Sequence, residues 1–99
     1  MRRLRLSALA EADLDAIADY IAADSTVRAL EFVRGLRGQC QQVAEFPRAY
    51  RERPELCEGL RACPFGGYMI YFVVSEDEVL IARILHASRD PFSKDIQEI

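Results

Sequence analysis

GLRACPFGGYMIYFVVSEDEVLIARILHASRD, residues 59–90, is the stretch whose reading decides the fold. Gly66-Gly67 lies between two apolar runs. Paired glycines supply the positive φ that a tight two-residue hairpin turn requires. The pattern predicts three short strands, Leu60–Pro64, Tyr68–Val74 and Glu78–His86, with Ser75-Glu76-Asp77 as the second turn. Tyr68 to Val74 is apolar throughout, as a central strand covered on both faces must be. Tyr68 and Tyr71 fall on opposite faces of it, so at least one belongs to the core. In the last strand, alternation places Val79, Ile81, Arg83 and Leu85 on one face, with Leu80, Ala82, Ile84 and His86 on the other.

Upstream the period changes. Residues 2–6, RRLRL, suit a short edge strand with Leu4 and Leu6 turned inward. Ser7 offers an N-cap oxygen, and Glu11 and Asp13 lie near the helix start, where the dipole favours acids. Ala10, Leu14, Ile17, Ala18 and Ile21 recur at helical spacing, leaving Asp15 and Asp19 to solvent. Asp24-Ser25-Thr26 ends this helix and caps a second, Val27 to Glu45, whose stripe is Ala29, Val33, Leu36, Cys40 and Val43, flanked by Phe32. Gly35 and Gly38 weaken it by about 1 kcal/mol each relative to alanine, a concession that suits close approach of the first helix. Facing stripes across a short turn make an antiparallel helical hairpin. Phe46-Pro47 stops the second helix, and Pro47 to Gly59 is a long connection rich in Arg, Glu and Pro. The order β-α-α-β-β-β predicts an α+β domain, a helical hairpin on a mostly antiparallel four-stranded sheet, with residues 1–99 as one unit. After Pro91 no pattern is evident, although Phe92 and Ile96 are apolar enough to dock.

Composition narrows the function. Half the chain is apolar, enough for a packed core. No apolar run approaches the roughly 20 residues that span a bilayer, and the basic start turns acidic by Glu11, unlike a signal peptide. These features predict a cytoplasmic protein without a membrane partner. Cys40, Cys57 and Cys63 lack metal-ligand spacing and there is one histidine, so reduced structural thiols are expected, with no metal and no cofactor. A Cys57–Cys63 bridge remains open under oxidising conditions. The net charge of −3 disfavours a general nucleic-acid binder, which neutralises phosphates with excess cations, but leaves room for a local basic patch.

The opening strand with LSALAEADLDAIADYIA, the connection FPRAYRERPEL…GLR, the strand YMIYFVV and the motif ILHASRD occur in this order over nearly the whole chain. Together they resemble the ParE/RelE superfamily of toxins from type II toxin–antitoxin pairs. The resemblance implies one of two targets. RelE-like members cut messenger RNA on the ribosome; ParE-like members bind and poison DNA gyrase without being enzymes. In many RelE-like ribonucleases an arginine follows the central-strand tyrosine, lysines lie on the preceding strand and a tyrosine lies near the C-terminus. Here Met69 follows Tyr68, the preceding strand offers Arg61 alone, and no tyrosine follows Tyr71. The pattern is therefore closer to ParE, with a RelE-type ribonuclease and a degenerate member that binds its antitoxin but harms nothing as the alternatives. It implies a cognate antitoxin, bound along the helical hairpin and sheet edge in a heterodimer or heterotetramer, and a tail that bears on toxicity.

Arg61, Arg83, His86 and Arg89 are the candidate partner-binding residues, and the catalytic set if the chain is a ribonuclease. Each has a structural reading beside the functional one. Arg61 suits a surface ion pair with Glu58 or Asp77. Arg83 interrupts an apolar strand and must reach an acidic partner or an open cleft. His86 suits a hydrogen-bonded core or edge position, and Arg89 a local pair with Asp90. Arg48, Arg51 and Arg53 alternate with Glu52, Glu55 and Glu58 as a solvated mixed-charge loop.

Overall fold

A computed structural model describes residues 2–89. The elements are β1 (Arg3–Leu6), α1 (Ala8–Ala22), α2 (Thr26–Glu45), a 3-10 turn (Pro47–Ala49), β2 (Leu60–Phe65), β3 (Tyr68–Val74) and β4 (Glu78–His86). The expected α+β arrangement is present: two helices cover one face of a four-stranded sheet ordered β1-β4-β3-β2. β2–β3 and β3–β4 are antiparallel hairpins, while β1 joins β4 in parallel after the helical hairpin has carried the chain back. No helix among the described residues is long and apolar enough to cross a membrane. Asp90, Phe92 and Ile96 lie outside the described residues.

Local chemistry sets the boundaries. Ser7 Oγ accepts the Ala10 N–H at 3.0 Å and Ser25 Oγ the Arg28 N–H at 3.2 Å, so each helix starts with one orphan donor satisfied. Pro47 follows the last turn of α2 and cannot continue it. Gly66 and Gly67 have φ of 52° and 86°, the left-handed pair of a tight hairpin turn. A Cβ on Gly66 would also lie 2.7 Å from the Phe32 ring.

The main core lies between helices and sheet, where Leu14, Leu36, Val43, Ile70, Phe72 and Ile81 are nearly or fully buried. A smaller cluster of Leu60, Ala62, Tyr71 and Leu85 occupies the opposite face, where Leu56 and Cys57 from the long connection pack on it. β3 is thus covered on both faces, as its composition predicts. Tyr71 belongs to the smaller cluster and Tyr68 packs on the main one.

Three expectations are corrected. Strict alternation along β4 fails, because the register shifts between Tyr71↔Arg83 and Phe72↔Ile81, leaving Ala82 as an extra residue. This bulge changes the phase. Val79 and Ile81 share the helix-side core with Ile84, whereas Leu85 joins the cluster on the other face. The glycines of α2 do not admit α1. A Cβ at Gly35 would meet the Phe65 ring of β2 at 3.1 Å, and one at Gly38 would meet nothing within 4 Å. Finally, Cys57 and Cys63 are free and pack against opposite faces of the sheet, which rules out a bridge between them in this fold.

Candidate functional site

β1 ends opposite Ile81, but β4 continues to His86, so the end of β4 would present an unpaired edge. The start of α1 closes it. Ser7 donates its backbone N–H to the Ile81 carbonyl and its hydroxyl to the Ala82 carbonyl at 2.7 Å. Nearly two turns on, Asp13 Oδ2 accepts the Ile84 N–H at 2.9 Å. The same carboxylate receives Arg83 through a fork, Nε to Oδ2 at 2.9 Å and Nη2 to Oδ1 at 2.8 Å. Arg83 is 7% exposed. Burying a guanidinium is tolerable only against a well-placed anion with further hydrogen bonds, and Asp13 supplies both. Asp13 was assigned above only to the helix dipole. Its spacing, three residues after Ala10 and four before Ile17, puts it at the border of the buried stripe, which is the signal that could have marked it.

Arg61 is also committed, though not to Glu58 or Asp77. Its Nη1 donates to the Tyr50 carbonyl at 2.7 Å and its Nη2 to Glu52 Oε1 at 3.0 Å. The residues around Glu52 run back beside β2: Arg53 donates to the Leu60 carbonyl, and Ala62 to that of Arg51. Arg61 therefore staples the long connection to the sheet. Arg53 pairs in turn with Glu55 at 2.6 Å, which holds the Glu55 carboxyl below its usual range.

His86 and Arg89 do share a groove, an open cavity of about 210 Å³ along α1 that also involves Ala16, Tyr20 and Tyr68. The His86 ring meets Tyr68 edge-on with centroids 5.3 Å apart. Its Nδ1 lies 2.6 Å from Ser88 Oγ and accepts the Ser88 N–H. Of the four candidates, then, two line one groove and Arg83 lies beneath it against Asp13. Arg61 pairs opposite Phe72 while His86 pairs opposite Tyr68, so a four-residue constellation does not assemble.

A second depression escaped the sequence reading because only the fold creates it. An apolar cavity of about 190 Å³ opens between β1 and α2, lined by Leu4, Leu6, Leu36, Gly38, Cys40 and others, with Arg37 and Gln41 as polar lining. Burial at its base pushes the Cys40 thiol up to about 11, and burial likewise raises Cys63, so neither is a ready nucleophile. No group of metal-ligating side chains forms among the described residues.

Comparison with known proteins follows this geometry closely. The family model described as "ParE toxin of type II toxin-antitoxin system, parDE" matches residues 4–91. A solved structure, "Chromosomal ParDE TA system from P. aeruginosa", superposes with a TM-score of 0.74 at 28% identity, over 87% of this chain and 96% of that one. No curated protein matches the sequence.

Proposed function

We propose that this chain, which belongs to the ParE toxin family of type II toxin–antitoxin systems, inhibits DNA gyrase by binding it and is silenced by a cognate antitoxin. The reading is supported chiefly by how the candidate cations are engaged. Metal-free cleavage of RNA needs cations aimed at the scissile phosphate and a positioned acid–base group. Arg83 is buried in a fork with Asp13 and Arg61 is tied to Glu52 and the Tyr50 carbonyl, so two of the four candidate cations have structural work. That leaves an inhibitor acting through surface complementarity as the better fit. The toxin acts in the cytoplasm, where its target is, and its harm ends when the antitoxin binds it as a heterodimer or heterotetramer.

The test is a gyrase supercoiling assay with purified toxin, alone and after addition of antitoxin. Inhibition with trapped cleaved DNA, relieved by the antitoxin, is the expected result. Unaffected supercoiling at micromolar toxin, together with rapid translation arrest in cells without a DNA-damage response, would replace gyrase with the ribosome as target.

A further inference from the structure

Helix α1 carries two stripes. Ala10, Leu14 and Ile17 turn into the core. Leu9, Asp13, Ala16 and Tyr20 follow one another at spacings of four and three residues and make a second line along its flank. Asp13 fixes where that flank lies, because its carboxylate bonds the Ile84 N–H of β4. The flank therefore runs beside the end of β4 that β1 leaves uncovered. Leu9 is 46% exposed and Tyr20 78%, so neither does much for the core. Tyr20 instead lines the groove that it shares with Tyr68 and His86.

The strand edge in this groove is unfinished. Ala87 donates its N–H to the Gly67 carbonyl, so Leu85 and Ala87 direct their backbone groups toward β3, and Ile84 and His86 direct theirs outward. Upstream, α1 satisfies the outward groups: the Ser7 hydroxyl donates to the Ala82 carbonyl, and Asp13 accepts the Ile84 N–H. The Ile84 carbonyl and the His86 N–H come next, and neither has a partner among the described residues. One residue of an extended chain running parallel to β4, in line with β1, would bond both.

Charge restricts the occupant. The sequence of α1, ALAEADLDAIADYIA, holds four acids and no cation. Glu11 pairs with Arg37 and Asp13 with Arg83, while Asp15 and Asp19 enter no ion pair among the described residues. Arg89 stands at the strand end of the groove, beyond this helix. The acidic field of α1 opposes a phosphate backbone. It also opposes a second copy of this chain, which would set one α1 against another. A protein segment with a basic residue beside an apolar one meets neither penalty.

Resting on the reading that gyrase is the target, we propose that the toxin grips gyrase through this groove. An extended segment of the gyrase protein, and not the DNA it carries, lies along the end of β4. One residue of the segment bonds the Ile84 carbonyl and the His86 N–H. An apolar side chain packs between Tyr20 and Tyr68, and a basic neighbour faces Asp19. Tyr20 is the anchor, since an exposed tyrosine over a pocket is the kind of side chain that dominates binding energy.

The experiment measures inhibition of the gyrase holoenzyme by wild-type, Tyr20→Ser, Ala16→Gln and Asp19→Lys toxin, with a thermal melt of each and its calorimetric affinity for the cognate antitoxin. All three positions are exposed, so the melts should match wild type. Tyr20→Ser removes the anchor and Ala16→Gln fills the groove. Each is expected to raise the toxin concentration for half-inhibition by roughly tenfold or more, with antitoxin affinity unchanged. Asp19→Lys should raise it less, and its effect should shrink at high salt. Hydrogen exchange on wild-type toxin bound to gyrase gives a readout that holds even if a variant misfolds: the His86 amide should gain protection. Wild-type inhibition by folded Tyr20→Ser and Ala16→Gln, or unchanged exchange at His86, would overturn the site while leaving gyrase as the target. Equal losses toward the antitoxin, or a toxin dimer dispersed by Tyr20→Ser in sedimentation, would also overturn it by giving the groove another occupant. Wild-type toxin that neither binds nor inhibits gyrase would overturn the target and this site together.

Discussion

Asp13→Ala removes in one step the anion facing Arg83 and the acceptor of the Ile84 N–H. The side chains of Arg83 and Asp13 are only 9% and 14% exposed, so neither partner is rehydrated without local opening. Removing one member of a buried pair costs about 3–5 kcal/mol, most of it from the charge left behind. A domain of this size is stable by about 5–15 kcal/mol and shifts its Tm by roughly 4–8 °C per kcal/mol. Asp13→Ala should therefore lower Tm by roughly 12–40 °C, and urea unfolding followed by circular dichroism should show an unchanged slope. Asp13→Asn keeps one acceptor oxygen but leaves the buried Arg83 cation uncompensated and sets an amide NH2 where a second acceptor stood, so it should cost nearly as much as Asp13→Ala, about 3–5 kcal/mol. Arg83→Met leaves the Asp13 carboxylate bonded to the Ile84 N–H but without its cation, and it should be destabilising on the same scale as Asp13→Ala. The double variant Asp13→Ala/Arg83→Met should be less destabilised than the sum of the two single changes, the signature of a coupled pair. A loss below about 1 kcal/mol for Asp13→Ala, or additivity in the cycle, would refute the account. So would a natively stable Arg83→Met that no longer inhibits gyrase, because it would place Arg83 at the target.

Three further outcomes follow from the fold. Gly66→Ala should destabilise by about 1–3 kcal/mol in thermal or urea unfolding, since the turn needs positive φ and the methyl would meet the Phe32 ring at 2.7 Å; wild-type stability would show that the hairpin can change turn type. Cys40 has a folded pKa of about 11, above its ordinary 9.0, so its contribution is fully present below about pH 9 and is lost as pH rises through about 11. Cys63 shifts the same way. Cys40→Val should flatten the fall of Tm over this alkaline window, and in the wild type a thiol reagent at pH 8 should modify half-buried Cys57 first; prior labelling of Cys40 would contradict its burial.

Periodicity and turn chemistry act over a few residues, so the sequence by itself determined the elements: Ser7 and Ser25 as caps, Pro47 as the helix stop, Gly66-Gly67 as the hairpin, and the apolar run from Tyr68 to Val74 as a doubly covered strand. The ordered set of these pieces also carried the likeness to the toxin family, now matched over residues 4–91. What alternation could not foresee was the bulge at Ala82, because an extra residue is detectable only against the partner strand that skips it. The partners of Arg83 and Arg61 were likewise undetermined. Asp13 lies 70 residues from Arg83, and Glu52 reaches Arg61 only after the long connection folds back along β2. The groove beside β1 depends on the parallel return of the chain, which sets a four-residue edge strand next to a glycine of α2. Tertiary structure alone decided these features, because a buried charge, an open strand edge and a missing side chain gain their meaning from neighbours distant in sequence.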